Sequence, residues 1–347
     1  MVAERVEQAA SPEKEYRYHQ KIVVLGGGGG QFNVLRGLRK LNPPELITSL
    51  STTLDSGGSS GRFRSDLGLL PMGDEKQSLI AFLDDEQQQE AILLSEDRFN
   101  DVVGPMKGHD FFNILIQRLE HIHGGREAAI EAFKKLFKIR GNVMTSTMEN
   151  RHLIAKCQSG LELLGEEAID QRWQRPDFDP SDKIIRIYLN APAQANPKAL
   201  AAISLADKIV FSSGSLWGST LPHFLINGIP EVIKEYPQKP LIYVANLATE
   251  RGQTDFYKLS DHIERFVYYL GDPHRLNYLI VNENHFDPDI LAIYQNEGQY
   301  PVELDEERCR EICPTIEVIK ANLAAYLPRD RLLRHDADKI AEIILSL

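Results

Sequence analysis

The stretch Ile22-Val23-Val24-Leu25-Gly26-Gly27-Gly28-Gly29-Gly30-Gln31-Phe32-Asn33-Val34-Leu35 decides the fold. Four apolar residues running into glycine read as a short buried strand. Val34, Leu35, Leu38 and Leu41 then recur at helical spacing, and Pro43-Pro44 stops the helix. Residues 46–54 are a second apolar run that reads as a strand. A strand, a glycine loop, a helix and another strand, in that order, open a doubly wound α/β domain with a mostly parallel, Rossmann-like sheet.

Outward from this unit, residues 73–140 carry helical faces, with Ile80, Leu83, the run 111–119 and the run 130–137 at 3.6-residue spacing. They predict a helical layer inserted at about 75–140. Residues 141–190 are rich in strand and loop signals. Strands are then expected at 183–189, 209–211, 241–245 and 278–281, and helices at 197–206, 218–235, 261–270 and 336–347. Asn196 is a good cap for the first of these helices. Residues 1–20 are charged and read as a tail or a short helix. With no internal repeat and no low-complexity linker, residues 21–347 are expected to form one α/β domain.

The 347 residues carry a net charge of -11, which argues against a nucleic-acid partner, because such proteins need a dense basic surface. Three cysteines, Cys157, Cys309 and Cys313, are a sparse, odd set that suits a reducing, cytoplasmic setting and reads as buried thiols. No run of 18 apolar residues occurs, so membrane insertion is not expected. A homodimer is compatible with a chain of this class, although no segment marks an interface.

Several small-residue loops carry the chemistry. Gly27, Gly28, Gly29 and Gly30, between a strand and a helix, aim backbone N–H groups at one point and let an anion approach closely. A simple tight turn needs fewer glycines. The loop is no Walker A motif, and in the dinucleotide-fingerprint registers that start at Gly26 or Gly28 the third glycine position falls on Gln31 or Asn33. At the end of the second strand, Asp55 is placed to hold Mg2+ or a ribose hydroxyl. Gly57, Gly58 and Ser59 permit a nest of N–H donors, and Arg62 offers a fork matched to phosphate. Asp74 reads either as a helix cap or as a second carboxylate for Mg2+ beside ligand phosphates. His109 and Asn113 are four apart and share one helix face; a structural hydrogen bond or a phosphate contact suits them equally. Ser213, Gly214 and Ser215 follow another short strand and suit phosphate or ribose contact, since no Gly-x-Ser-x-Gly surrounds them. In an open α/β sheet such strand-end loops converge on one crevice.

At these residues the chain resembles the CofD-like family. The motifs are Val-Leu-Gly-Gly-Gly-Gly-Gly (24–30), Asp-Ser-Gly-Gly-Ser-Ser-Gly-Arg-Phe-Arg (55–64), Pro-Met-Gly-Asp (71–74), Gly-His-x-x-x-Asn (108–113), Gly-Ser-Leu-Trp-Gly-Ser (214–219), Asn-Leu-Ala-Thr-Glu-Arg-Gly-Gln-Thr-Asp (246–255), Ser-Asp-His (260–262), Pro-Val-Glu-Leu-Asp (301–305) and Arg-His-Asp (334–336). The family holds a Mg2+-dependent 2-phospho-L-lactate transferase with a guanosine-nucleotide donor, and a regulatory gluconeogenesis factor that binds UDP-sugars. The stretches 55–64 and 246–262 look like the second kind. The resemblance implies that Gly27, Gly28, Asp55, Asp74, Asn113 and Ser215 line a nucleotide site, with Asp55 and Asp74 as the catalytic, Mg2+-holding pair if a reaction is run. It further implies that Asn246 belongs to the site and that Tyr257 and Arg334 contact a nucleotide-sugar. Gly29, Phe32, Ser56, Lys76, Gln77, Phe112 and Trp217 depart from the family's usual residues, which implies a reshaped pocket.

Overall fold

The computed structural model describes residues 15–54, 72–104, 106–327 and 332–347. Strand β1 (Ile22–Leu25) is followed directly by helix α1 (Gly28–Leu41) and then by β2 (Ile47–Ser51). The helical layer follows as α2 (Gly73–Ala81), α3 (Asp85–Glu96), α4 (Phe111–His123) and α5 (Arg126–Phe137), and leads into β3 (Asn142–Thr145). Strands β4 (Leu153–Cys157), β5 (Glu162–Leu164) and β6 (Ile184–Leu189) form a small antiparallel sheet, with the one-turn helix α6 (Glu166–Asp170) between the last two. The two-residue strand β7 (Ala193–Gln194) pairs with β9 (Ile226–Asn227). Helix α7 (Pro197–Leu205) is capped by Asn196, whose side chain accepts from the Lys198 N–H, and leads to β8 (Lys208–Phe211).

Beyond β8 the chain makes a π turn (Leu216–Thr220) and a 3-10 turn (Leu221–Leu225) before α8 (Ile229–Glu235). Strand β10 (Leu241–Val244), α9 (Leu259–Leu270), β11 (Tyr278–Asn282), α10 (Pro288–Asn296), α11 (Glu306–Ile312) and β12 (Glu317–Ala321) follow. A hairpin of β13 (Ala324–Leu327) and β14 (Leu332–His335) and the closing helix α12 (Ala337–Ser346) end the chain.

The central sheet has seven strands in the order β12-β11-β10-β8-β1-β2-β3, and every pairing is parallel. The order reverses at β1: the chain first builds outward through β2 and β3, then returns to the other side of β1 with β8. Parallel strands are covered on both faces, so they carry near-continuous apolar runs. Val23 and Leu25 enter one core with Phe211, Trp217, Tyr243 and Phe266, while Ile22 and Val24 enter the other with Val34, Leu35, Leu38 and Ile340. Helices α1 and α12 and the inserted layer cover the second face, and α7, α8, α9 and the antiparallel sheet cover the first. The expected α/β sheet with an inserted helical layer is what the chain forms. Tyr18 and Gln20 are tied to the end of α1: the Tyr18 N–H donates to the Leu41 carbonyl and the Gln20 N–H to Asn42 Oδ1.

Candidate functional site

The loops at the carboxyl ends of β1 and β8 part where the strand order reverses, which is where an open α/β sheet forms its ligand crevice. A crevice of about 410 Å3 lies there. Its floor is the start of α1. Gly28 sits at φ +59°, a conformation that favours glycine. A Cβ at Gly30 would lie 1.2 Å from the Ser213 carbonyl oxygen, so the β1 and β8 loops approach closely only because residue 30 has no side chain. The first N–H groups of a helix have no partner within it. The Gly28 N–H donates to Asp74 Oδ1 at 2.8 Å, and the Gly29 and Gly30 N–H groups remain at the crevice floor.

Gln31 explains why the loop is not a dinucleotide fingerprint. Its buried amide donates to the Val24 carbonyl at 3.0 Å and to the Leu50 carbonyl at 3.1 Å, filling the space where a third glycine would let helix and strand pack closer.

Three other elements complete the walls. The hairpin brings Arg334, opposite Ala325 in the ladder, over the helix start, with its guanidinium 3.3–3.4 Å from where a Gly29 Cβ would sit. Beside it, buried His335 shares a 3.1 Å hydrogen bond between its Nδ1 and Ser213 Oγ. Burial drives the His335 pKa down to about 4, partly opposed by the Ala245 carbonyl. The loop after β10 contributes Asn246, whose Nδ2 donates to the Gly214 carbonyl at 2.8 Å and so ties two crevice loops together. That loop also carries Glu250, whose carboxyl is pushed up to about 7 by burial and then by Asp170. Glu166 and Asp170 of α6 line the same crevice.

Of the residues singled out in the sequence, Gly27, Gly28, Gly29, Gly30, Asp74, Ser213, Gly214, Ser215, Asn246 and Arg334 all line this crevice. Asp74 does not cap its own helix, which begins after Met72; its carboxylate lies against the glycine loop instead. Ser215 is a cap, with Oγ accepting from the Gly218 N–H and donating to Gln253 Oε1. Asp55, Gly57, Gly58, Ser59 and Arg62 lie outside the described residues.

Among the described residues, His109, Asn113 and Tyr257 are absent from the crevice lining. His109 and Asn113 are buried at the start of α4, as is Asp110, which caps that helix by accepting from the Asn113 N–H. Tyr257 is buried beneath β6, where its hydroxyl donates to the Ile184 carbonyl at 3.3 Å and burial raises it to about 12. The sequence reading passes over Glu166, Asp170, Glu250 and His335. Glu250 and His335 stand inside quoted motifs, whereas Glu166 and Asp170 sit on a five-residue helix that leaves no periodic signal.

Among the described residues no three His, Cys, Asp or Glu side chains gather as a metal site, and no helix is long and apolar enough to cross a membrane. The three cysteines are buried and free.

The family model described as 2-phospho-L-lactate transferase CofD matches residues 22–324. A putative gluconeogenesis factor of Thermotoga maritima is 33% identical over 324 residues, spanning 93% of this chain and 98% of that protein. The gluconeogenesis factor of Bacillus subtilis is 31% identical over 329 residues, spanning 94% and 98%. A crystal structure of a UPF0052 family member from Bacillus halodurans superposes with a TM-score of 0.83 at 30% identity, covering 94% of this chain and 99% of that one.

Proposed function

The chain belongs to the CofD family, and from that premise we propose that it is a regulatory nucleotide-binding protein of the gluconeogenesis factor kind, holding a UDP-sugar in the crevice beside β1. The observation that carries this reading is the convergence of open helix N–H groups and one guanidinium at the switch point. The Gly29 and Gly30 N–H groups and the positive end of α1 favour a diphosphate, and the Arg334 fork adds donors of matching geometry. Asn246, through its bond to Gly214, fixes the wall on which the rest of the nucleotide rests. Three free, buried thiols accord with a cytoplasmic setting.

A second reading, a transferase moving a phospholactyl-type group from a guanosine nucleotide, is favoured by one observation: Asp74 presents a carboxylate at the helix start, next to where phosphates would lie. Mg2+ is commonly bound by one or two carboxylates plus ligand phosphates. Asp74 fits that use as a single protein ligand, and the ion would neutralise charge between it and the diphosphate.

The test is a thermal-shift series with UDP-glucose, UDP, GDP, GTP, NAD and NADP, each with and without Mg2+. A ligand at a hundred times its Kd adds about 2.7 kcal/mol of stability. A shift with UDP-glucose that needs no Mg2+, and no consumption of the ligand, is the expected result. A Mg2+-dependent shift with a guanosine nucleotide, with turnover abolished by Asp74→Ala, would replace the regulator with the transferase.

A further inference from the structure

The loop after β10 carries a carboxyl that phosphate binding leaves without a task. Glu250 lines the crevice, and its Oε2 is buried without a hydrogen-bond partner. Ser215 and the Leu216 backbone N–H lie beside the carboxyl. The neighbouring polar groups are otherwise committed: Ser215 Oγ donates to Gln253 Oε1 at 2.7 Å, and Gln253 Nε2 donates to Asp170 Oδ1 at 2.9 Å. A buried acceptor without a donor is costly, so a fold that keeps one at a ligand crevice invites a donor from outside.

We propose that Glu250 selects the ligand: its Oε2 accepts a hydrogen bond from a hydroxyl or amide N–H on the sugar of the bound nucleotide-sugar. The assignment rests on the nucleotide-sugar reading and deepens it. The crevice has two chemically distinct parts. The start of α1 and Arg334 supply donors for phosphate, while Glu250 supplies an acceptor for a neutral, hydroxyl-rich group on a wall that also carries Glu166 and Asp170. The titratable groups around Glu250 are Asp170 and Glu166 of α6 and Tyr243 of β10, with Asp74, Arg334 and His335 lining the same crevice. Burial and Asp170 together hold the empty-site carboxyl protonated up to about pH 7. Accepting a donor favours the ionised form, so ligand binding expels that proton.

The test is calorimetric titration with UDP-glucose, whose own groups do not titrate between pH 6 and pH 8, on the wild type and Glu250→Gln. A carboxyl centred near pH 7 passes from about one-tenth to about nine-tenths ionised over this range, so wild-type affinity rises about tenfold. Glu250→Gln keeps the volume and removes the titration; its affinity is flat with pH and falls below wild type at pH 8. Glu250→Asp keeps the rise with pH at lower affinity. A Glu250→Gln protein that tracks the wild type at both pH values overturns the assignment while leaving the nucleotide-sugar reading intact. A wild type that binds UDP-glucose at neither pH overturns the parent reading and this inference with it.

Discussion

At the scale of single residues, the crevice depends on one missing side chain and one positive charge. Gly30 packs against the Ser213 carbonyl so closely that Gly30→Ala must push the β1 and β8 loops apart. Overpacking of this kind costs about 1–3 kcal/mol, and the figure here should reach the upper end because the obstacle is backbone. Gly125, whose added Cβ meets open space, is the control. Denaturant unfolding should show a clear loss for Gly30→Ala and a change within about 0.5 kcal/mol for Gly125→Ala; equal effects would mean the close approach is not what fixes residue 30. The glycines are legible in the sequence because a strand running into five of them has few uses. Glu250 and His335 are not, because their chemistry comes from distant partners: His335 meets Ser213 across 122 residues, and Gln253 reaches Asp170 across 83. No local pattern encodes such pairings.

Elements carry a different kind of information. The helical layer is visible as 3.6-residue periodicity, and Asn196 marks the start of α7 by residue type alone. What joins the layer internally is hidden. Arg126 at the start of α5 bonds Glu75 of α2 at 2.6 Å, with both side chains fully buried, and Glu120 of α4 at 3.1 Å. Burial raises the Glu75 pKa against the pull of Arg126. Removing one partner leaves a buried charge uncompensated, so Arg126→Met is expected to cost about 3–5 kcal/mol. The double variant with Glu75→Leu should recover much of that loss. A double variant no more stable than Arg126→Met in denaturant unfolding would argue against an ion pair at this joint. The segment from 283 to 335 is the least legible. Strand β12 reads Glu-Val-Ile-Lys-Ala at the sheet edge, and β13 and β14 are four residues each and partly exposed, so period-two alternation is weak. Arg334 therefore enters the site through a hairpin that only the family resemblance indicates.

For the whole molecule, the strand order does what no residue does alone: it parts the β1 and β8 loops and sets the hairpin and the β10 loop around the gap. The opening strand–glycine loop–helix–strand unit already points to a crevice at the strand ends, so its location is foreseeable while its acidic wall is not. The buried histidines make stability pH-dependent. His223, His262 and His335 are each depressed to about 4, in every case chiefly by burial. Each binds a proton in the unfolded chain below about pH 6.5 but refuses it in the folded one until about 4, so stability falls as pH drops through this window, by up to about 3 kcal/mol per group. Glu250, raised to about 7, acts in the opposite sense between 7 and 4.5. Three groups against one leave a net loss, so unfolding midpoints should drop steadily between pH 6.5 and 4.5. A flat profile would mean that these imidazoles reach water in the folded state.

The central claim, that the crevice beside β1 holds the phosphates of a nucleotide-sugar, is tested most directly by titrating UDP-glucose into the wild type, Arg334→Lys and Arg334→Ala at about 0.15 M salt, near physiological ionic strength. The guanidinium lies over the helix start and forms no ion pair among the described residues, so its removal should spare the fold. A charge-assisted fork on phosphate contributes about 1.5–3 kcal/mol, which predicts at least a tenfold loss of affinity for Arg334→Ala and a smaller one for Arg334→Lys. Equal binding by all three proteins would place the ligand elsewhere and contradict the account.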